Sequence, residues 1–280
     1  EGVQGLQVGD TVTGAPLVPC MRCADCQRGN YSLCRHYSFI GSRQQGSFAD
    51  YVVLPAVNAV KYDPSIPYAQ AAMFEPSTVA LHGLLQADYR GGGDVAVLGC
   101  GTIGIFTAQW ARIMGARRLV AFDLDAGRLE LALRMGADAA VNTSQEGFME
   151  QAMALTDGRG FDCIFETAGN PVTMRMAFHL AANKARLCFI GTPHTELTFT
   201  PQEFELMNRR EFYLTGSWMS YSAPFPGREW TLTAHHFARG DLKFDPAFIF
   251  RTFPMSQAAE AFALYRNPRD VHGKIMLVNA

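Results

Sequence analysis

Four cysteines carry the first chemical signal. Cys20, Cys23, Cys26 and Cys34 lie in PCMRCADCQRGNYSLC with the spacing C-x2-C-x2-C-x7-C. Four thiolates so spaced can close a tetrahedron around zinc and leave no coordination position open, which marks a structural metal. The rival is an iron–sulfur cluster, whose ferredoxin-type runs close with a three-residue gap and then Cys-Pro. Here the last gap is seven and Arg35 follows Cys34, so zinc is preferred. A second signal runs from Asp94 to Asp123 and contains Gly99-Cys100-Gly101-Thr102-Ile103-Gly104, a G-x-G-x-x-G. Gly99 permits a tight turn, Gly101 lets a pyrophosphate approach the backbone, and Gly104 lets a helix pack closely on its strand. The free N–H groups and dipole of that helix then meet the phosphates. Asp123 stands nineteen residues past Gly104. A carboxylate there accepts both ribose hydroxyls and repels a 2′-phosphate, which favours NAD over NADP.

The elements that must position these groups follow from pattern. Val95–Leu98 and Leu119–Phe122 are short apolar runs suited to strands buried on both faces. Between them Ile103, Phe106, Trp110 and Ile113 recur at helical spacing, and Gly115 marks the stop. The alternation continues with helices over 126–136, 146–156 and 171–182, and strands at 139–141, 161–165, 186–190 and 211–217. This predicts an α/β chain with a doubly wound parallel (Rossmann) sheet. Ligands bind outside the carboxyl ends of such strands. Thr167, Ala168, Gly191 and Thr192, which end two of them, are therefore expected beside the cofactor. Residues 1–78 are β-rich, with a strand expected at 46–54. After the proline corner at 222–227, helices near 229–239 and 256–266 and strands near 248–252 and 274–278 are expected to return to the first unit. The predicted division is 1–78, containing the cysteine lobe 20–34, then 79–221 for the dinucleotide and 222–280.

Length and composition fit one large domain or two ordinary ones. The chain has 280 residues, 48% of them hydrophobic, and a net charge of −2. No basic run favours nucleic acid or an anionic membrane, and no apolar run reaches the length of a span. Cys100, Cys163 and Cys188 sit in apolar runs and read as small core residues. A reducing cytoplasm suits this cysteine usage better than a disulfide framework. The sequence begins with Glu1, and residues 8–12 read as the tail of a β-rich unit, so that unit is expected to be incomplete at its N-terminus.

Glu75, in Met73-Phe74-Glu75-Pro76-Ser77-Thr78, precedes a helical pattern. By position alone it is a cap or dipole partner before it is a metal ligand. His82 reads as a satisfied helix histidine. The cysteine lobe, the Glu-Pro before a helix and the dinucleotide fingerprint together resemble the zinc-containing medium-chain dehydrogenases. FIGSRQQGSFADY, FEPSTVALH and GSWMSYSAPFPGREW extend the resemblance to members that act on sugar-alcohol phosphates.

The resemblance implies a GroES-like catalytic domain around the β-rich part and a cytoplasmic homodimer or homotetramer. It also implies oxidation of a small polyol phosphate, galactitol 1-phosphate to tagatose 6-phosphate, with hydride passing to NAD. Sorbitol, another polyol or threonine is the alternative substrate, and a non-catalytic zinc-stabilised NAD module is the alternative of another class. It further implies a zinc-serving role for Glu75, ribose binding by Asp123 and a basic residue near the adenosine at Arg128. Arg43 is the candidate for the substrate phosphate and Trp218 for the pocket wall. The family's catalytic cysteine and Gly-His-Glu segment lie upstream of the cysteine lobe, and no Gly-His-Glu precedes Cys20. As written, the chain is thus expected to hold one zinc firmly and to lack a competent catalytic centre.

Overall fold

A computed structural model of the chain describes residues 3–267 and 270–279. In chain order the elements are β1 (Val12–Gly14), β2 (Leu17–Val18), α1 (Ala24–Gln27), β3 (Ser38–Phe39), β4 (Ala59–Lys61), α2 (Tyr68–Ala71) and α3 (Phe74–Gln86). Then come β5 (Asp94–Leu98), α4 (Thr102–Ile113), β6 (Arg118–Asp123), α5 (Ala126–Arg134), β7 (Ala139–Asn142), α6 (Phe148–Ala154), β8 (Phe161–Glu166) and α7 (Pro171–Leu180). The chain closes with β9 (Ala181–Phe189), α8 (Pro201–Arg210), β10 (Tyr213–Gly216), α9 (Arg228–Arg239), β11 (Ile249–Pro254), α10 (Ala258–Leu264) and β12 (Lys274–Val278). Two compact units result: Glu1–Thr78 with Ser220–Ala280, and Val79–Met219. No helix of the described residues is long and apolar enough to cross a membrane.

The second unit is a six-stranded sheet in the order β10-β9-β8-β5-β6-β7, parallel throughout. The order reverses between β5 and β8, which opens the crevice a doubly wound sheet offers a ligand. All five residues of β5 are buried, as strands covered on both faces require. Helices cover the faces because their ends are well specified. Asn170 caps α7 by accepting from the Val172 N–H, with Pro171 in the first turn. Thr200 and Glu203 form a reciprocal capping box on α8. The core gathers Phe122, Phe161, Ile164, Phe178, Leu187 and Phe212 around the sheet.

In the first unit β1 pairs antiparallel with β4, β2 antiparallel with β3, and β11 parallel with β12. Aromatic rings knit it together: Phe74 lies 5.3 Å from Tyr62 and 5.2 Å from Phe237, centroid to centroid. The segment from Ser220 to Gly227 grips the cysteine lobe. The Tyr221 N–H donates to Ser32 Oγ at 3.1 Å, the Ser32 hydroxyl donates back to the Tyr221 carbonyl at 3.4 Å, and the Leu17 N–H donates to the Tyr221 hydroxyl at 3.0 Å. Gly29 approaches so closely that a Cβ there would stand 2.7 Å from the Cβ of Ala223.

Two expectations about elements are corrected. Residues 46–54 form no strand; Tyr51 and Val53 are 92% and 91% exposed. β-propensity is a preference for a half-buried pleated surface, and among the described residues no strand pairs with this stretch. Secondly, Ala181 and Ala182 leave helix α7 and begin β9, where Ala181 faces Phe161 on β8. Sheet pairing and burial override the helical propensity of alanine there.

Candidate functional site

The cysteine lobe comes together as its spacing predicts. The Sγ atoms of Cys20, Cys23, Cys26 and Cys34 all lie within 4.8 Å of one another. Backbone N–H groups turn inward to the sulfurs: that of Cys20 donates to Cys34 Sγ at 3.3 Å and that of Cys23 to Cys20 Sγ at 3.4 Å. The backbone N–H of Cys26 holds the Cys23 thiol down to about 6, whereas burial pushes Cys26 up to about 12. A bound cation resolves this conflict, because a coordinating thiol is deprotonated outright. Four convergent soft donors in one lobe fit zinc. Among the described residues no other three His, Cys, Asp or Glu side chains converge in this way.

At the fingerprint, each glycine has a distinct geometric reason. Gly99 takes φ +94°, and a Cβ on it would press 2.9 Å from that of Ala168. On Gly104 a Cβ would fall 1.8 Å from the Gly99 carbonyl oxygen. At Gly101 a Cβ would meet nothing within 4 Å, and no side chain caps the helix it precedes. The turn is thus closed below and open above, with Gly101 exposed and Thr102 and Ile103 half-buried at the N-terminus of α4. Open space over an uncapped helix start fits the pyrophosphate of a dinucleotide. Asp123 ends β6 and is buried; its Oδ2 accepts from the Cys100 N–H at 2.7 Å and its Oδ1 from the Asp125 N–H at 2.9 Å. Each oxygen keeps a lone pair for a ribose hydroxyl. Arg128 Nη1 stands 4.0 Å from Asp123 Oδ2.

The neighbouring strand ends close on the same turn. The Thr167 hydroxyl reaches the Gly99 carbonyl at 2.8 Å. A Cβ on Gly191 would stand 2.2 Å from the Gly169 nitrogen, and one on Gly169 2.5 Å from the Thr192 carbonyl oxygen. Thr167, Ala168, Gly191 and Thr192 are therefore brought together with Gly99 and Gly104 at one edge of the sheet. Glu166, which no motif marks, lies fully buried beneath them. Its signal in the sequence is an acid at the end of β8, where the strand's other acid, Asp162, is exposed. Burial pushes its carboxyl above the ordinary range, opposed by donors from Thr173, Ala168 and Gly169.

Glu75 lies inside the first turn of α3, half-buried, and not ahead of the helix as expected. Burial raises its carboxyl pKa and the charge of Lys274 opposes that rise. His82 is buried, with Nε2 3.3 Å from Gln86 Nε2. Arg43 is exposed and held by Tyr37: Nη1 donates to its carbonyl at 3.1 Å, Nη2 to its hydroxyl at 3.0 Å, and the guanidinium sits 3.9 Å from its ring centroid. Trp218 is 53% exposed beyond β10.

The alcohol dehydrogenase GroES-like domain family matches residues 1–65 and the zinc-binding dehydrogenase family matches residues 102–234. The galactitol 1-phosphate 5-dehydrogenase of Escherichia coli K12 is 35% identical over 278 residues, covering 99% of this chain and 80% of that protein. The chain belongs to the zinc-containing medium-chain dehydrogenases. The crystal structure of galactitol-1-phosphate dehydrogenase from Escherichia coli superposes with a TM-score of 0.92 over 99% of this chain and 80% of that one. An L-threonine 3-dehydrogenase of Edwardsiella ictaluri is 39% identical over 193 residues, 69% of this chain and 56% of that protein. As a medium-chain dehydrogenase the chain is an oxidoreductase built on an α/β fold, and its relatives act on alcohol groups of small molecules.

Proposed function

We propose that this chain belongs to an enzyme that oxidises a sugar-alcohol phosphate with NAD, galactitol 1-phosphate to tagatose 6-phosphate. The observation that carries the reading is the 35% identity maintained over 99% of the chain, which includes the long Gly216–Trp230 stretch. In this reading Gly99, Gly101, Thr102, Ile103 and Gly104 seat the pyrophosphate. Asp123 takes the ribose and Arg128 lies by the adenosine. Thr167, Ala168, Gly191 and Thr192 border the nicotinamide half. NAD supplies the hydride acceptor, and the protein supplies orientation and exclusion of water. The four cysteines hold a structural zinc. In a zinc dehydrogenase a second zinc acts as a Lewis acid that lowers the pKa of the substrate hydroxyl. Glu75 is the candidate side chain for it here. Among the described residues Glu75 belongs to no convergent group of three or more His, Cys, Asp or Glu side chains, so they do not by themselves assemble a site for that metal.

Arg43 is the proposed contact for the substrate phosphate, which prefers a guanidinium fork. To serve it, the fork must leave Tyr37. Trp218 is the proposed apolar wall. β10 ends the sheet order, and among the described residues no strand pairs with its outer edge, which carries Tyr213, 55% exposed; this supports pairing with a second copy as a homodimer. The test is kcat/KM for galactitol 1-phosphate, galactitol and L-threonine, followed by NADH formation. A strong preference for the phosphate, with Arg43→Ala raising KM for it alone, is expected. A preference for L-threonine would support the second reading, which the 39% identity to threonine dehydrogenases favours. An equal rate with galactitol would remove the phosphate from the assignment.

A further inference from the structure

We propose that Glu166 is a positioning residue of the dinucleotide site, its buried carboxylate being the template on which the Thr167–Gly169 backbone is held against the Gly99–Gly104 turn. This rests on the NAD reading above and adds the group that sets the geometry of that site.

Glu166 is the last residue of β8, opposite Leu98 of β5 on one side and Phe189 of β9 on the other. It therefore sits beneath three adjacent strand ends at once. Its side chain has no exposed surface. Oε1 accepts from the Ala168 N–H at 2.9 Å, the Gly169 N–H at 3.0 Å and the Thr173 hydroxyl at 2.7 Å. Its backbone carbonyl accepts from the N–H groups of Ile190 at 2.8 Å and Gly191 at 3.0 Å. Gly191 is kept bare beside it, since a Cβ there would lie 2.8 Å from Oε2. The residue thus fixes both strand-end loops, one through its side chain and the other through its main chain.

Among the described residues no cation pairs with this carboxylate. Burying an acid without a partner is costly unless hydrogen bonds converge on it. Here the convergent donors belong to the loop itself. The two groups are mutually dependent: the loop N–H groups satisfy the carboxylate, and the carboxylate prevents those N–H groups from turning outward. Half-buried Thr167, its hydroxyl held by the Leu98 and Gly99 carbonyls, and exposed Ala168 then lie in one conformation before any ligand arrives. Such preorganisation lowers the cost of binding without touching the ligand.

The experiment is fluorescence titration of NADH into the parent protein, Glu166→Met, Glu166→Gln and Thr173→Val, with zinc content and KM values for NAD and for the polyol measured on each. Glu166→Met should weaken NADH binding by roughly tenfold or more, the scale of losing one buried charge-assisted acceptor. It should raise KM for NAD and leave zinc content and the polyol KM at saturating NAD unchanged. Glu166→Gln keeps an acceptor at Oε1 and should return to within about threefold of the parent. Thr173→Val removes one of the three donors and should move binding in the same direction by a smaller factor; it decides the matter if Glu166→Met does not fold. NADH binding unchanged in Glu166→Met or Thr173→Val, or Glu166→Gln as weak as Glu166→Met, would overturn the role of Glu166 alone. A parent that binds no NADH would overturn this inference together with the NAD reading.

Discussion

Gly101 and Gly104, three residues apart in the same turn, should fail in opposite ways when each gains one methyl group. Gly104→Ala places a Cβ 1.8 Å from the Gly99 carbonyl oxygen and 2.8 Å from Thr167 Oγ1. The first of these is backbone and cannot swing aside, so α4 must withdraw from the sheet by more than an ångström. Overpacking of this kind costs about 1–3 kcal/mol. At roughly 2–4 °C per kcal/mol for a domain of this size, melting should fall by about 2–12 °C. Gly101→Ala meets no atom within 4 Å and keeps φ −68°, which alanine adopts freely. Its stability should stay within about 1 kcal/mol of the parent. The added methyl instead occupies the space above the helix start. Displacing the pyrophosphate by one charge-assisted hydrogen bond costs about 1.5–3 kcal/mol, or about 10- to 150-fold in Kd. Differential scanning fluorimetry and NADH titration on the two variants separate the effects. Gly101→Ala binding NADH as tightly as the parent would refute the placement of the phosphates, and an unchanged melting temperature in Gly104→Ala would refute the packing argument.

Cys34→Ser should carry one equivalent of zinc less than the parent and become sensitive to trypsin at Arg28 or Arg35 in the lobe; unchanged zinc by metal analysis would remove the four-cysteine assignment. Glu203, bonded by Arg175, has its carboxyl held down to about 2, below the ordinary value of about 4.3. Because the folded pKa is the lower one, its stabilising contribution is complete above the unfolded value and is lost as pH falls from about 4 towards 2. Glu203→Gln should therefore melt below the parent at pH 7, with the gap closing over that acid range; a gap independent of pH would contradict this. The proposed homodimer through the β10 edge predicts that Tyr213→Asp with Leu214→Lys sediments at a lower mass than the parent in sedimentation equilibrium, and an unchanged mass would refute pairing through that edge.

Much of the dinucleotide unit was legible because its signals are local. β5, α4 and β6 follow from apolar runs, glycines and a stop at Gly115, all within thirty residues. The four cysteines declared their convergence through spacing alone. What sequence did not disclose depends on partners far along the chain. Residues 46–54 have the composition of a strand, yet pairing decides whether they become one. Ala181 and Ala182 suit a helix until Phe161 claims Ala181 across the sheet. Glu166 was visible as an acid, but its work is defined by Gly191 and Thr173, which no periodicity connects to it. Arg43 illustrates a subtler gap: charge and turn position suggested an anion contact, while the guanidinium is engaged by Tyr37, six residues away.

The grip of Tyr221 on Ser32 has a consequence in time. The two residues are separated by 189 positions in the chain. Synthesis at roughly 5–20 residues per second puts about 10–40 s between them on the ribosome. Through that interval the cysteine lobe exists without the segment that seats it, its thiols open to oxidation or to capture by a competing metal. Early zinc loading shortens that exposure. Yield of correctly metallated protein should therefore depend on zinc supplied during translation more than on zinc added to the finished chain.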